Sequence, residues 1–568
     1  MNILGISCWY HDSAAALLQD GAIVAAAAEE RFSRQKHDFS FPEQAVRWAL
    51  EYAGLVVEDL DYVVFYEKPL VKFERILASY VTMWPRSYLA YITAMPLWLK
   101  QKLWFPRELR RATGYRGEVL YCDHHLAHAC SSFLCSPFEE AAVLTVDGVG
   151  EWNTCTWGNG RGAGVTLDAG VRFPHSLGLF YSAITAHLGF RVNNDEYKVM
   201  GLASYGEPRY RDEMDQLLRM HDDGSFELDM RYFAYHYGLS MLGPAGRKLL
   251  GPAREPESEI DERHCDIAAS LQDKLEEAML RIAGSLHERT GSRNLCMAGG
   301  VALNCVANGR IVNETGFEQL FIQPAAGDDG GALGACLWAW HMVLGNERAW
   351  TFDHAFLGPE FSDREIERAL RENDAPYREL GYDQVPAKTA ELVLDNRIVG
   401  WFQGRMEWGP RALGSRSILA NACNAEMKDI LNDRVKHRED FRPFAPVMPV
   451  EDLHDYIDLP VDSPYMLLIG EVRADKRARV PAITHTDGTA RPQSVRREAN
   501  APYYDALREF ERLSGVPVMI NTSFNVRGEP IVCTPEDAVK CFAGTGIDEL
   551  IIGPYWVRKE NLREGGAR

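Results

Sequence analysis

The feature that most constrains the fold is a pattern of three short strands that occurs twice in about the first 170 residues. Residues 3–7 form an apolar run, and after a polar turn two further runs, 14–18 and 22–28, enclose the hairpin signal Gln-Asp-Gly. The pattern then returns at 141–146, 154–157 and 165–167. This repetition predicts a duplicated α/β domain with a nucleotide bound between its two halves.

The length of the chain sets the number of domains. With 568 residues it is too long for one hydrophobic core, so two or three domains are expected. Residues 346–359 are loop-like, and the chain beyond them alternates short strands and helices. We therefore predict a first domain at residues 1–350 and a second α/β domain at residues 351–568.

Two histidines and a carboxylate suggest a metal site. His124 and His128 are four residues apart in a predicted helix whose N-cap is Asp123, so both imidazoles share one helical face. The apolar strand 141–146 ends at Asp147, and sites gather at strand ends in α/β folds. This spacing is the basis of a metal hypothesis.

Glycine-rich turns precede two predicted helices. Gly299 and Gly300 end a strand, where they let backbone N–H groups approach a ligand at a helix N-terminus. The same device recurs at 327–334, where Asp328 and Asp329 stand at the start of a helix predicted to reach about residue 344. One of these two carboxylates is free to ligate a metal.

Basic side chains beside glycines characterise the second domain. Guanidinium groups held next to small residues are rigid bidentate donors for phosphate. The chain concentrates such cations although it is acidic overall, and the group consists of Arg411, Arg416, Lys436, Arg442 and Arg491. They indicate a site for phosphorylated ligands.

Composition excludes several classes of protein. A formal net charge of −20 argues against a general nucleic-acid binder, although it leaves room for a local cationic pocket. The 12 cysteines contain no CxxC pair, which is typical of reduced thiols in a cytosolic enzyme. No P-loop motif occurs, and the N-terminus lacks the features of a signal peptide. We expect a cytoplasmic protein.

Residues 76–104 are the most membrane-like part of the sequence. They are rich in Trp and Tyr, but the longest charge-free run, 87–99, has 13 residues and is too short to span a bilayer. We predict a packed helical insertion. Lining an acceptor pocket and lying on a membrane surface are the alternatives.

Nine short motifs, in order along the chain, resemble those of the O-carbamoyltransferase family, which includes nodulation-type, aminoglycoside, cephamycin and ansamycin carbamoyltransferases. They are His11-Asp-Ser-Ala-Ala, His124-His-Leu-Ala-His128, Asp147-Gly, Glu196-Tyr-Lys-Val-Met-Gly-Leu-Ala, Ala298-Gly-Gly-Val-Ala-Leu-Asn304, Gly327-Asp-Asp-Gly330, Gly409-Pro-Arg-Ala-Leu-Gly414, Phe441-Arg-Pro-Phe-Ala445 and Asn521-Thr-Ser-Phe-Asn525. The resemblance implies an N-terminal Kae1-like domain of the actin, Hsp70 and sugar-kinase type, followed by a C-terminal YrdC-like domain. It also makes antibiotic biosynthesis one biological setting.

The same resemblance implies a reaction in two steps. Carbamoyl phosphate and ATP form carbamoyladenylate in the second domain, and a hydroxyl of a small-molecule acceptor then attacks its carbonyl in the first. Binding of carbamoyl phosphate and the ATP phosphates is assigned to Arg411, Lys436, Arg442, Arg491, Ser523 and Asn525, with Arg411 and Lys436 in catalysis. The metal ligands would be His124, His128, Asp147 and Asp328, the last preferred to Asp329. The nucleotide would be held by Gly148, Lys198, Gly299, Gly300 and Asn304.

The chemistry asks for one further group, a base for the acceptor alcohol. Neutral His11, with Asp12 beside it in sequence, is the predicted base. The resemblance favours iron(II), while the ligand types also suit manganese(II) or zinc(II), and Mg(II) is expected with ATP. The alternative is an ATP-dependent enzyme of the tRNA threonylcarbamoylation type. The acceptor and the oligomeric state are left open, and no nucleic-acid or membrane partner is expected.

Overall fold

The computed structural model describes residues 1–439 and 441–562, which divide into two compact units. The first unit comprises Met1–Glu29 and His37–Phe352. The second comprises the short segment Glu30–Lys36 and the described residues from Asp353 onward.

The segment Glu30–Lys36 departs from the predicted boundaries, which placed it in the first domain. It contains α1 (Glu30–Ser33) and packs within the second unit. Arg31 donates to the carbonyl oxygen of Gly409 at 2.8 Å, and Arg34 donates to that of Ile531 at 2.6 Å. These contacts are between residues hundreds of positions apart, so no local pattern could indicate them.

The first unit contains two five-stranded sheets with the same strand order. Its strands are β1 (Asn2–Ser7), β2 (Ala14–Gln19), β3 (Ala22–Ala28), β4 (Tyr62–Phe65), β5 (Glu118–Tyr121), β6 (Glu140–Val146), β7 (Asn153–Arg161), β8 (Gly164–Arg172), the small hairpin β9 (Leu218–Met220) and β10 (Phe226–Leu228), β11 (Asn294–Ala298) and β12 (Gln319–Phe321). The sheet orders are β3-β2-β1-β4-β5 and β8-β7-β6-β11-β12. In each, the first three strands in chain order pair antiparallel and the other two join in parallel. The predicted duplicated α/β domain is confirmed.

Helices surround these sheets, and the strands β1 and β6 are almost entirely buried because both of their faces are covered. The helices are α2 (Glu43–Tyr52), α3 (Pro69–Thr82), α4 (Tyr88–Lys100), α5 (Phe105–Thr113), α6 (His124–Phe133), α7 (Leu177–His187), α8 (Glu196–Ala203), α9 (Arg211–Leu217), α10 (Pro244–Leu250), α11 (Glu262–Thr290), α12 (Cys305–Glu314) and α13 (Gly330–Trp338). The helix predicted to follow Asp123 is α6, and α13 continues as a π-helical turn to Val343.

The predicted helical insertion at 76–104 packs on the protein on one side only. Helices α3 and α4 cover the protein with one side and expose large apolar side chains on the other. Among the described residues, no helix is long and apolar enough to cross a membrane.

The second unit is also α/β. Its strands are β13 (Tyr377–Glu379), β14 (Val399–Phe402), β15 (Arg416–Asn421), β16 (Ala445–Pro449), β17 (Ile457–Asp458), β18 (Gly470–Val472), β19 (Thr489–Ala490), β20 (Gln493–Val495), β21 (Met519–Ser523), β22 (Glu549–Ile552) and β23 (Tyr555–Arg558). Within the described part of the chain, they form a mixed sheet ordered β13-β23-β22-β14-β15-β21-β16-β20 and a small sheet β17-β18-β19.

The helices of this unit are α14 (Asp363–Glu372), α15 (Val385–Leu394), α16 (Met427–Leu431), α17 (Leu453–Tyr456), α18 (Ala501–Ser514) and α19 (Pro535–Gly544). Helices α15 and α18 pack together over a core that includes Trp401, Tyr503 and Phe510. This core lies under the central strands of the sheet.

Candidate functional site

Four ligand-type side chains of the first unit converge on one point. His124 and His128 come from α6, Asp147 follows β6, and Asp328 stands before α13. Each is at most 5% exposed, and one ligand atom of each lies within 4.8 Å of the others. The fold thus brings together residues that are up to about 200 positions apart in sequence.

The contacts in this group, called the His/Asp cluster below, fit a bound cation. Nε2 of His124 lies 3.1 Å from Nε2 of His128 and 3.2 Å from Oδ2 of Asp147, and Oδ1 of Asp328 lies 3.6 Å from both nitrogens. Ligand atoms bonded to one metal at about 2.0–2.2 Å are themselves about 3.0–3.4 Å apart. Among the described residues, Oδ2 of Asp328 has no hydrogen-bond partner. The cluster can therefore hold a divalent metal.

The electrostatics of the cluster also favour a bound cation. Burial alone would lower the pKa of His124, but the hydrogen bond to Asp147 and the charge of Asp328 outweigh burial and raise it to about 9. Two buried carboxylates next to an imidazole pair form a site of negative potential, and such a site is stabilised by a cation.

Helix α6 is held in place at both of its sides. The carboxylate of buried Glu151 accepts the backbone N–H of His124 at 3.1 Å, which satisfies an orphan donor of the helix N-terminus. On the other side Gly334 of α13 lets the two helices touch, because a Cβ there would lie 1.9 Å from the carbonyl oxygen of Ala127. The direction of both imidazoles follows from this fixed helix.

The third histidine of α6 does not join the cluster. Nδ1 of His125 lies 2.6 Å from Oγ1 of Thr145, and its Nε2 lies 2.9 Å from the carbonyl oxygen of Asn153. Burial and the neighbouring His124 lower the pKa of His125 to about 3. His125 is therefore a neutral residue that links α6 to β6 and β7.

One of the glycines predicted to hold a nucleotide, Gly300, instead donates a hydrogen bond to Asp147. The N–H of Gly300 donates to Oδ1 of Asp147 at 2.9 Å, so this group is not free for a ligand, contrary to the prediction. Gly299 has a φ of +98°, and a Cβ there would lie 2.3 Å from the carbonyl oxygen of Val146. The carbonyl oxygen of Gly148 accepts from the hydroxyl of Ser176 at 2.7 Å.

Asn304 also differs from the prediction of a nucleotide contact. Its Oδ1 accepts the backbone N–H of Ala307 at 3.0 Å, so the side chain is the N-cap of α12. Its amide also pairs with that of Gln272 through two hydrogen bonds of 3.0 and 3.1 Å. The polar atoms of Asn304 are committed to the fold.

His11 and Asp12 are brought together with a third residue, His37, in what we call the His–Asp–His triad. Nδ1 of His11 lies 2.7 Å from one oxygen of Asp12, and Nδ1 of His37 lies 2.8 Å from the other. Nε2 of His11 donates to the carbonyl oxygen of Asn193. His37 was not predicted, because only the fold returns it to the loop that follows β1.

The predicted neutral state of His11 is wrong for this structure. Both of its ring nitrogens face acceptors, which requires two N–H groups and hence the imidazolium form. Burial alone would lower the pKa of His11, but Asp12 outweighs burial and raises it to about 10. At neutral pH His11 carries no lone pair with which to accept a proton.

The motif that begins at Glu196 supports the triad. Oε1 of Glu196 accepts the N–H of Asn193 at 2.8 Å, and the carbonyl of Asn193 is the acceptor for His11. Lys198, predicted to bind the nucleotide, forms an ion pair of 3.1 Å with Asp195.

The second unit brings Lys436 together with Ser523 and Asn525. Nζ of Lys436 donates to the backbone oxygen of Ser523, to Oδ1 of Asn525 at 2.9 Å and to the carbonyl oxygen of Asn525 at 3.1 Å. Burial, and then the charges of Arg438 and Arg442, lower the pKa of Lys436 well below its ordinary value. A bound anion would oppose this lowering. We call Lys436, Arg442, Ser523 and Asn525 the lysine cluster.

The loop that carries Arg411 is fixed from both sides. The amide of Gln493 donates to the carbonyl oxygen of Leu413 at 2.7 Å, and that of Asn521 donates to the carbonyl oxygen of Ala412 at 3.1 Å. The two amides also bond to each other at 2.7 Å. Gln493 follows the predicted phosphate ligand Arg491 by two residues.

Two family models match this chain. One describes the N-terminus of carbamoyltransferases and matches residues 2–337, and the other describes their C-terminus and matches residues 390–559. The chain belongs to the carbamoyltransferase family. The predicted family and the predicted enzyme class are confirmed.

Individual relatives of this carbamoyltransferase cover most of its length. An uncharacterized protein of Synechocystis sp. is 48% identical, with 98% of this chain and 97% of that protein covered. The nodulation protein NolNO of Sinorhizobium fredii is 37% identical over 97% of this chain and 79% of its own length. The 3'-hydroxymethylcephem-O-carbamoyltransferase of Streptomyces clavuligerus is 31% identical over 70% and 71%. Among solved structures, T. kodakarensis HypF is 14% identical, with a TM-score of 0.32 and coverage of 61% of this chain and 48% of that one.

One of the predicted arginines of this carbamoyltransferase is structural. Arg416 is fully buried, and its guanidinium donates to the carbonyl oxygens of Gln403 at 3.0 Å and Pro359 at 3.2 Å. The guanidinium carbon lies 3.6 Å from the ring centre of Phe402, and burial lowers the pKa of Arg416 to about 10. Arg416 holds the loop in place and is not available to a phosphate. In contrast, Nε of Arg491 has no hydrogen-bond partner among the described residues.

Sequence reasoning missed Glu407. Oε1 of this buried carboxylate accepts three backbone N–H groups of the Arg411 loop, from Leu413 at 2.7 Å, Ser415 at 3.1 Å and Arg416 at 3.2 Å. The only signal for it is its place next to the Trp-Gly-Pro-Arg motif. For Glu67, whose Oε2 lies 3.9 Å from Nδ1 of His124, the sequence offers no signal at all.

Proposed function

We propose that this chain is an O-carbamoyltransferase that forms carbamoyladenylate and then transfers the carbamoyl group to a hydroxyl of a small-molecule acceptor. One observation carries the proposal. The first unit contains the buried His/Asp cluster, in which four metal-ligand atoms converge, and the second contains the buried amine of Lys436, held by Ser523 and Asn525. Each site lies within the residues matched by one of the two family models.

The first step belongs to the second unit in this proposal. Water releases phosphate from carbamoyl phosphate, and a carbamate oxygen then attacks the α-phosphorus of ATP, with pyrophosphate leaving. Both substrates are anions, so several fixed cations are needed at once. Lys436, Arg411 and Arg491 supply them, and Arg442 lies close enough to Lys436 to affect its pKa. Ser523 and Asn525 hold the ammonium of Lys436 in position.

The second step belongs to the first unit. The acceptor oxygen forms a bond to the carbamoyl carbon, the bond from that carbon to the adenylate oxygen breaks, and AMP leaves. The acceptor proton goes to Nε2 of His11 after this nitrogen has lost its own proton and its contact with Asn193. Asp12 and His37 keep the imidazole in orientation throughout.

The His/Asp cluster would hold the divalent metal through His124, His128, Asp147 and Asp328. When bound, such a metal withdraws charge from the leaving phosphate. The chain's own contribution is to fix the four ligand atoms before binding. Gly300 orients Asp147, and Glu151 orients the helix that carries both histidines.

The test separates the two steps. The purified protein is incubated with ATP and carbamoyl phosphate, and pyrophosphate is measured in the absence of any acceptor. A panel of hydroxylated sugars and natural products is then added, and carbamoylated products are sought by mass spectrometry. Pyrophosphate that depends on carbamoyl phosphate is the expected result. Its absence with the metal-loaded protein contradicts the proposal.

A further inference from the structure

Helix α4 is apolar on both of its sides, although only one side is covered. Ala90, Met95 and Trp98 are at most 6% exposed and pack on the protein. On the opposite side Leu89 is 62% exposed and Leu99 is 55% exposed. A helix that is hydrophobic all round is normally buried all round. The uncovered side of α4 is therefore a candidate interaction surface.

This surface extends beyond α4. We call it the outer face, and it consists of Val81, Trp84, Tyr88, Leu89, Ile92, Leu97, Leu99 and Trp104, each between 45% and 64% exposed. Of the 18 large hydrophobic side chains that are exposed in the described part of the chain, these eight fall within 24 residues. Scattered exposed apolar residues need no explanation, whereas a contiguous group marks an interaction site.

The charge around the outer face has the opposite sign to that of the whole protein. Residues 83–116 contain seven basic residues and one acidic residue, in a chain with a net charge of −20. The single acid, Glu108, is already paired with Arg111 at 2.6 Å and Arg107 at 3.1 Å. Within the residues described, the side chains of Arg86 and Lys100 show no ion pair. Arg86 lies two residues from exposed Trp84 and Tyr88, and Lys100 directly follows exposed Leu99.

We propose that the outer face binds the surface of an anionic lipid bilayer, an interaction that goes beyond the proposed carbamoyl transfer. An apolar face rich in Leu, Trp and Tyr and bordered by Arg and Lys is the composition of an interfacial helix. The 13 residues of α4 are too few to span the hydrocarbon core, which needs about 20. The helix therefore lies along the bilayer surface.

A second copy of the chain is a less suitable occupant. A two-fold dimer through the outer face would place one basic border close to the other, and like charges repel. A bilayer that contains anionic lipids offers apolar depth and negative charge together. Charge complementarity therefore favours the lipid surface.

The outer face also lies close to the site of the first unit. Lys102, between Leu99 and Trp104, donates to the carbonyl oxygen of Trp9, and Trp9 precedes His11 by two residues. Lys72 on the inner side of α3 pairs with Glu67, the neighbour of His124. A protein bound through the outer face would thus have this site next to its attached surface.

Flotation of the full-length protein with vesicles tests the proposal. Vesicles of phosphatidylglycerol and phosphatidylcholine are compared with vesicles of phosphatidylcholine alone. We expect binding to the anionic vesicles that weakens with salt. The double variant Leu89→Glu/Leu99→Glu should bind at least about tenfold more weakly. Arg86→Gln and Lys100→Gln should each weaken binding about fivefold.

Matched controls keep the result interpretable. Leu239 and Leu513 are exposed apolar residues far from the outer face in sequence, and Leu239→Glu/Leu513→Glu should leave vesicle binding unchanged. All substituted side chains are exposed, and an unchanged thermal unfolding curve shows that the variants fold. Absence of binding to the anionic vesicles overturns the proposal. So does a dimer in sedimentation velocity that Leu89→Glu/Leu99→Glu dissociates while vesicle binding stays the same.

Discussion

The buried His/Asp cluster and the lysine cluster, which is built around the buried Lys436, have opposite character. In the first, two carboxylates and two imidazoles turn their ligand atoms toward each other, and Oδ2 of Asp328 has no partner among the described residues. In the second, a buried ammonium lies among oxygens of Ser523 and Asn525, with further cations nearby. The first arrangement is completed by a cation and the second by anions. In the proposed function, the second site serves the activation step and the first serves the transfer step.

The largest effect is expected for a substitution in the lysine cluster that leaves the His/Asp cluster unchanged. Lys436→Ala should lower the rate of pyrophosphate release about 10³-fold, because a fixed cation is lost from a buried phosphate site. Metal content of the first unit should not change. Both are measurable on one preparation, by a coupled pyrophosphate assay and by elemental analysis.

A second lysine of the same unit, half-buried, is the control for that experiment. Nζ of Lys559 donates to the backbone oxygens of Ala543 at 2.6 Å and Thr545 at 2.8 Å, and it belongs to no proposed site. Lys559→Ala should reduce stability and leave the pyrophosphate rate of the folded protein unchanged. Equal losses in both variants would mean that Lys436 is only structural.

The reciprocal experiment removes a ligand of the His/Asp cluster. His124→Ala should reduce bound metal and lower carbamoyl transfer about 10²-fold or more, while pyrophosphate release continues. The variant His125→Gln, on the same helix, should keep its metal and lose about 1–3 kcal/mol of stability, because buried hydrogen bonds are disturbed. A metal-to-protein ratio that His124→Ala leaves intact would place the metal elsewhere.

The pH dependence of transfer tests the role of His11. If deprotonated His11 accepts the acceptor's proton, the transfer rate should rise about tenfold per pH unit below a pKa of about 10 and level off above it. The carboxylate of Asp12 stabilises the imidazolium, so the active form is the minor one at neutral pH. Single-turnover transfer from preformed carbamoyladenylate is the measurement. A rate that is flat from neutral pH and falls above about pH 10 would assign His11 to a charged, orienting role instead.

The smallest expected effect concerns the Arg411 loop. Glu407→Gln keeps an oxygen for the backbone N–H groups of Leu413 and Ser415 but removes the charge that strengthens these bonds. We expect KM for carbamoyl phosphate or ATP to rise about fivefold, with metal content and transfer from preformed carbamoyladenylate unchanged. A change in the rate of carbamoyl transfer would show that the role of Glu407 is not limited to the second unit.

Several elements of the site could be predicted from the sequence because their signals are local. The spacing of His124 and His128 and the N-cap at Asp123 fix one helix face, and the strand that ends at Asp147 supplies a carboxylate at a sheet edge. The repeated strand pattern predicted a duplicated α/β domain, and the structure contains two sheets of the same strand order. Periodicity and turn chemistry act over a few residues, so they can be read without the fold.

Other properties depend on partners that only the fold brings close. The imidazolium state of His11 results from Asn193 and Asp12 together, and the contact of His37 with Asp12 joins residues 25 positions apart in sequence. The backbone N–H of Gly300 was predicted to bind a ligand because the nearby sequence does not indicate that Asp147 accepts its hydrogen bond.

By itself, the sequence determined the family, the duplicated α/β architecture and the residue types of both sites. Tertiary structure alone decided which of those residues face a common point and which are committed to the fold, as Arg416 and Asn304 are. It also decided that the apolar helix α4 is covered on one side only. The physical reason is that hydrogen bonding, protonation and exposure depend on distances between atoms, and long-range packing sets those distances.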